Sequence, residues 1–122
     1  MDIKTFASKL FEARQVAHQA HLQTRSYATH VALNSFYDEI VDLADSFIET
    51  YQGEYGLITE YNVVIPMIKP DAIIAYLENA VEVFKSVHSV IDPKDSHLHN
   101  IVDEIVQLTY STLYKLKFLS FF

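Results

Sequence analysis

Apolar residues recur along the chain at the spacing of four amphipathic helices. In the first segment, over residues 3–23, they return every three or four residues, which is typical of one buried helical face. The same period marks a second helix over residues 31–51, a third over residues 70–91, and a fourth that begins after Asp95 or Ser96 and continues to the C-terminus. The pattern predicts an all-α protein, a four-helix bundle.

The connections between these helices predict the topology. Short links near residues 24–30 and 92–96 make two antiparallel hairpins. The link over residues 52–69 can stretch to roughly 55 Å, whereas a helix of about 20 residues is only about 30 Å long. It can therefore run the length of the bundle and leave helices two and three parallel, with one long crossover as in ferritin-like bundles. Residues 61–65 are β-prone, so we expect an extended strap or, as the alternative, an edge strand.

Composition limits the classes of function. The 122 residues suit one domain, residues 1–122, and 2 glycines and 3 prolines suit a packed helical protein. The formal net charge of −7 disfavours binding to a phosphate backbone. Cysteine is absent, which excludes disulfides and zinc-thiolate sites. No apolar run approaches the roughly 18 residues of a membrane span, and no signal segment opens the chain. We expect a soluble, cytoplasmic protein.

Helix two carries a row of four carboxylates. They recur at spacings of four, three and four residues, so all four share one face; they are Asp38, Asp42, Asp45 and Glu49. Helix two contains no Lys or Arg, and like charges one turn apart are destabilising. The row is either a solvated outer face, or a face whose charge is relieved by a metal ion or by a basic partner.

Histidines precede this row. His18 and His21 lie one turn apart late in helix one, and His30 lies at the start of helix two. Imidazole and carboxylate together suit iron, zinc or manganese; the alternative is that these histidines make ordinary hydrogen bonds. The candidate metal ligands are His18, His21, His30, Asp38, Asp42, Asp45 and Glu49.

A smaller cluster lies at the start of helix four and consists of His97, His99, Asp103 and Glu104. Acidic residues are favoured near a helix N-terminus by the helix dipole alone, so a cap or loop is the first interpretation and metal ligation the second. We expect His88, alone on helix three, to be structural. The chain has no glycine-rich phosphate loop and no nucleophile motif.

The residue order from His18-Gln19-Ala20-His21 through Phe36-Tyr37-Asp38-Glu39-Ile40 to Asp45-Ser46-Phe47-Ile48-Glu49 resembles the Dps-type mini-ferritins, and small ferritin-like proteins of tailed phages in particular. The last helix is also similar. The resemblance implies a di-iron site across a two-fold subunit interface. It matches His21 to the first ligand, Asp38 to an early acid, and Asp45 with Glu49 to a later pair. Asn34 stands where the family has its second histidine, and the basic DNA-binding tail is absent.

Two functional hypotheses follow. The first is a ferritin-like, metal-binding oligomer that oxidises or sequesters iron. The second is a non-enzymatic helical protein that binds a phage or host partner, or a small ligand, without metal. Helix two has a second apolar row, made of Tyr37, Val41, Ala44 and Ile48. With the apolar C-terminal residues 118–122, this row predicts a homo-oligomer built on a dimer through helices one and two. Alternatively, the strap covers the row and the protein is a monomer.

Overall fold

A computed structural model describes residues 1–119. It contains four α-helices, α1 (Ile3–Gln23), α2 (Tyr27–Tyr55), α3 (Ile73–Ser86) and α4 (Ser96–Phe118), and 3-10 turns at Pro70–Ala72 and Val87–Val90 on either side of α3. Over these residues there is no strand, so the predicted all-α, four-helix fold is confirmed and the segment at 61–65 is a strap. None of the described helices is both long enough and apolar enough to cross a membrane.

Packing partners give the topology of the bundle. α1 packs against α2 and α3, and α4 packs against the same two helices, so α2 and α3 lie diagonally opposite. Near its start, α1 places Phe6 against Phe47 of α2 and Phe84 of α3, both in the later parts of their helices. α2 and α3 therefore both run antiparallel to α1 and parallel to each other, as the length of the crossover predicts.

The crossover, residues 56–69, lies along α1. The Glu60 carboxylate is 3.5 Å from Lys4 Nζ, and the Asn62 N–H donates to Ser8 Oγ at 2.9 Å. Both contacts are to the first half of α1, at the end of the bundle where α2 ends. The crossover must then reach the other end of the bundle, where α3 begins. The strap thus carries the chain back along the bundle.

Aromatic side chains hold the centre of the core. Phe6, Phe36, Phe47 and Phe84 are fully buried. The Phe6 ring meets the Phe47 ring edge-on at 4.9 Å and the Phe84 ring at 6.1 Å. Because edge-to-face pairs add about 0.5–1.5 kcal/mol each to the burial of their area, these contacts stabilise the joint between three helices.

The bounds predicted for the second helix were too narrow. α2 begins at Tyr27 because the Ser26 hydroxyl accepts the Thr29 N–H at 3.2 Å, which caps the helix earlier than expected. It continues through Gly53 and ends where Gly56 adopts a φ of 101°, a conformation that glycine accepts at little cost. The longer helix brings Glu54 and Tyr55 to the end of the bundle.

The second apolar row of α2 is less exposed than predicted. Ala44 and Ile48 are only 2% and 7% exposed, because α2 packs against both α1 and α4 rather than against one neighbour. Tyr37 is half-buried and stacks on His18 of α1 with ring centroids 4.3 Å apart. Val41 is half-buried. The row that suggested a dimer is therefore largely used within one chain, and the dimer stays a prediction.

The apolar C-terminal segment was the other feature behind that prediction. Phe118 and Leu119 are exposed. Residues 120–122 lie outside the described residues.

Candidate metal centre

One end of the bundle gathers three potential metal ligands. Glu54 lies in the last turn of α2, Asp95 immediately precedes α4, and His97 lies in its first turn. One donor atom from each lies within 4.8 Å of the other two. Within residues 1–119 this is the one group of three or more such side chains, and we call it the end cluster.

The turn between α3 and α4 is what positions Asp95 and His97. Ile91 and Leu98 are buried on either side of the turn and anchor it to the core. The Asp92 carboxylate accepts the Lys94 N–H at 2.8 Å, a side-chain turn typical of aspartate. The Asp95 carbonyl then accepts the Leu98 N–H at 3.0 Å and starts α4. Because α4 is antiparallel to α2, its first turn lies beside the last turn of α2.

The end cluster has a buried floor and an open rim. His97 Nε2 is 2.8 Å from Glu54 Oε1 and 4.0 Å from Asp95 Oδ1. The exposed fractions of the side chains are 50% for His97, 34% for Glu54 and 9% for Asp95. A cation would therefore meet His97 and Glu54 from solvent, with Asp95 beneath them.

Tyr55 holds the Asp95 carboxylate in place. Its hydroxyl donates to Asp95 Oδ2, while Oδ1 is the oxygen nearer His97. This hydrogen bond lowers the pKa of Asp95 below 3.8, against the opposing effect of burial, and the same bond raises the pKa of Tyr55 above 10.0. Asp95 is thus an ionised carboxylate at neutral pH, with one oxygen oriented by Tyr55 and the other directed to the cluster.

The chemistry of this donor set fits a divalent transition metal. One imidazole nitrogen and two carboxylate oxygens suit zinc, iron or manganese. Three protein ligands leave coordination positions open, as in catalytic rather than structural sites. Tyr55 supplies the hydrogen bond that orients a ligating carboxylate. The end cluster can therefore hold one ion and leave part of its coordination sphere accessible.

His21 and His30 form a reciprocal pair where α1 meets α2. His21 Nδ1 donates to the His30 carbonyl at 2.7 Å, His30 Nδ1 donates to the His21 carbonyl at 2.9 Å, and the ring centroids are 3.7 Å apart. Because a carbonyl only accepts, both Nδ1 atoms carry a proton. Nε2 is then the remaining ring nitrogen of each histidine, and no hydrogen-bond partner for either Nε2 occurs among residues 1–119.

The structure does not bring the acidic row and these histidines together within one chain. The four carboxylates are all exposed; they are Asp38, Asp42, Asp45 and Glu49. None of them belongs to a group of three ligands together with His18, His21 or His30 in the described part of the chain. A site that combines the two sets requires a second subunit, and it stays a prediction.

The smaller histidine cluster divides into two parts. His97 belongs to the end cluster, whereas His99 pairs with His88, their Nδ1 atoms 2.6 Å apart. His88 Nε2 is 3.0 Å from Asp103 Oδ1, and His99 Nε2 donates to the Asp92 carbonyl at 3.1 Å. This network ties the turn after α3 to α4. Glu104 is exposed and outside both groups.

Sequence reasoning missed Glu54 and Tyr55 and used Asp95 only to mark the start of the fourth helix. Asp95 does occupy the N-cap position of α4, but its side chain makes no capping hydrogen bond. Glu54 lies 41 positions before Asp95 along the chain. The predicted topology could have indicated this proximity, because it places the end of helix two and the start of helix four at the same end of the bundle.

Comparisons with known proteins find a similar protein in a phage. It is 29% identical over 109 residues to the uncharacterized 14.6 kDa protein in the mobD-ri intergenic region of Enterobacteria phage T4, and the match covers 88% of this chain and 81% of that protein. No solved structure matches, and the resemblance to mini-ferritins receives no support. Residues 21–116, which include the whole end cluster, match a family described as a family of unknown function. The chain belongs to that family, DUF5856.

Proposed function

We propose that the protein binds a divalent transition-metal ion through Glu54, Asp95 and His97. The observation that carries the proposal is the convergence of three donor atoms within 4.8 Å, one of them on a carboxylate that is buried and kept ionised. A buried charge is costly unless it is paired, and a cation at this position offsets that cost. The exposed rim gives the ion a path from solvent.

The donor set suits Fe(II), Mn(II) or Zn(II). The open coordination positions favour a reaction at the ion over a purely structural role, and iron is the ion of this set whose reaction with oxygen or peroxide we propose. Iron oxidation or sequestration is the activity that we propose. The relative in phage T4 supports a site of action in the cytoplasm of an infected host.

A second metal site, between two copies of the chain, is the other candidate. It would join His18, His21 and His30 of one copy to the acidic row of its partner, formed by Asp38, Asp42, Asp45 and Glu49. What favours it is that Nε2 of His21 and of His30 has no hydrogen-bond partner among the described residues 1–119, because ligating histidines commonly donate their other N–H to a carbonyl.

Isothermal titration with Zn(II), Mn(II) and, without oxygen, Fe(II) tests the first site. We expect one ion per chain, and at least a tenfold weaker affinity for Glu54→Gln and for His97→Gln. Glu104→Gln removes a carboxylate from the exposed face of α4 and serves as the matched control, with unchanged affinity. Equal affinity in Glu54→Gln, His97→Gln and the control would overturn the assignment.

The same titrations separate the two sites. Metal binding that survives Glu54→Gln with His97→Gln but is lost in His21→Gln points to the intersubunit site. An assay of Fe(II) oxidation in air then shows whether the bound ion reacts. A chain that binds none of the three ions leaves the non-enzymatic interaction protein as the remaining hypothesis.

A further inference from the structure

A surface cavity lies at the opposite end of the bundle from the end cluster. It is an open groove of about 980 Å³ between the α1–α2 turn, the start of α3 and the end of α4. Its apolar wall includes Ile73, Ile74 and Leu116, and Tyr27, 76% exposed, stands at its edge. The groove is of a size that accommodates a small organic molecule.

The net charge of the residues that line this groove is opposite in sign to the net charge of the whole chain. Arg25 and Lys69 line it and are exposed. Of the 9 Lys and Arg residues, four form ion pairs among residues 1–119, namely Lys4, Lys9, Lys85 and Lys117. Arg25 and Lys69 are among the others and have no carboxylate within 4.0 Å in that range. Among the described residues, Asp71 is the one acidic residue of the lining. Two cations against one anion leave a local excess of positive charge in a chain whose net charge is −7.

The start of α2 adds to the positive potential. Ser26 caps one N–H of the first turn, and the first turn contains no acidic residue. A cation such as Arg25 next to the N-terminal end of a helix dipole is unfavourable by itself. An anion seated between Arg25 and Lys69 would relieve the repulsion.

We propose that this groove binds a small organic anion that has an apolar body. The anionic group lies between Arg25 and Lys69, and the apolar body packs on Ile73, Ile74 and Leu116. A carboxylate, sulfonate or phosphate monoester on a hydrocarbon or aromatic body has this chemistry. The site is independent of the proposed metal centre, since it shares no residue with it.

Binding of the fluorescent probe anilinonaphthalene sulfonate to the full chain tests the proposal, because this probe joins a sulfonate to an aromatic body. We expect Arg25→Gln and Lys69→Gln each to weaken its binding about threefold to fivefold, the upper part of the range for a solvent-exposed ion pair. Asp71→Asn removes the opposing charge and should tighten binding by a similar factor. Lys94→Gln, at the other end of the bundle and also exposed, is the control for net charge and should leave the affinity unchanged.

Competition identifies the ligand class. Octanoate should displace the probe at concentrations at which octanol does not, because the two share an apolar body and differ in charge. Equal probe affinity in Arg25→Gln, Lys69→Gln and Lys94→Gln would overturn the proposal, as would equal competition by octanol. Absence of probe binding to the folded chain, with its melting transition intact, would also overturn it.

Discussion

Tyr55→Phe tests whether the hydrogen bond that orients Asp95 contributes to metal affinity when all three proposed ligands are kept. The substitution removes one hydroxyl and leaves Glu54, Asp95 and His97 unchanged. In the native chain that hydroxyl donates to Asp95 Oδ2, so its loss frees the carboxylate to rotate away from His97. We expect metal affinity to fall about 10- to 100-fold, the usual effect of removing a hydrogen bond that orients a ligand.

This loss of metal affinity can be expressed as a change in melting temperature, because the entropy of unfolding scales with chain length. At about 2.1 cal/mol/K per residue, unfolding 122 residues has an entropy of about 260 cal/mol/K. A tenfold weaker affinity, at a metal concentration well above the dissociation constant, then reduces the metal-induced rise in melting temperature by about 5 °C. Differential scanning calorimetry with and without Zn(II) measures this difference.

The pH dependence of the metal-free chain tests the same hydrogen bond. The hydrogen bond lowers the pKa of Asp95 in the folded chain. Its contribution to stability is therefore present above the unfolded pKa of 3.8 and is lost as the pH falls through the lower pKa of the folded state. It raises the pKa of Tyr55, so the contribution is present below 10.0 and is lost as the pH rises through the higher folded value. The native chain should therefore exceed Tyr55→Phe in stability between about pH 4 and pH 10, and the difference should shrink outside that window.

Tyr51→Phe provides the control, because the Tyr51 ring lies beside Tyr55 with ring centroids 4.9 Å apart, but the hydroxyl that donates to Asp95 is that of Tyr55. It should leave both metal affinity and pH dependence unchanged. A stability difference between the native chain and Tyr55→Phe that stays constant from pH 3 to pH 7 would refute the reasoning, because the hydroxyl would then not be bound to an ionised Asp95.

Three further predictions concern the bundle. Phe47→Ala, in the fully buried core, should lower the free energy of unfolding by about 3–5 kcal/mol, whereas exposed Phe118→Ala should change it by less than about 0.5 kcal/mol in urea unfolding. Tyr76→Phe removes the hydrogen bond to the half-buried Glu12 carboxylate and should cost about 1–3 kcal/mol in the same experiment. If the chain forms the dimer through α1 and α2, Val41→Glu should convert it to a 14.0 kDa monomer in light scattering, and a monomer in both forms would count against that interface.

The architecture of the bundle could be predicted from sequence because its determinants are local. Helical periodicity alone predicted α1 over residues 3–23, as observed. The comparison of linker length with helix length predicted the parallel arrangement of α2 and α3. Both arguments use only the rise per residue and the spacing of apolar positions. These arguments did not predict the ends of α2. Its first and last residues are set by the cap residues Ser26 and Gly56, which lie beyond the predicted ends.

The candidate sites depended on tertiary structure because their residues are distant in sequence. Glu54 and His97 are 43 positions apart, yet their side-chain atoms are 2.8 Å apart; no spacing rule for one helix links them. Ala44 and Ile48 look exposed on a helix with one buried face, and became buried because α2 has two neighbours. Periodicity determines which face of a helix is apolar, but the packing of whole helices determines how many faces are covered and which helix ends meet.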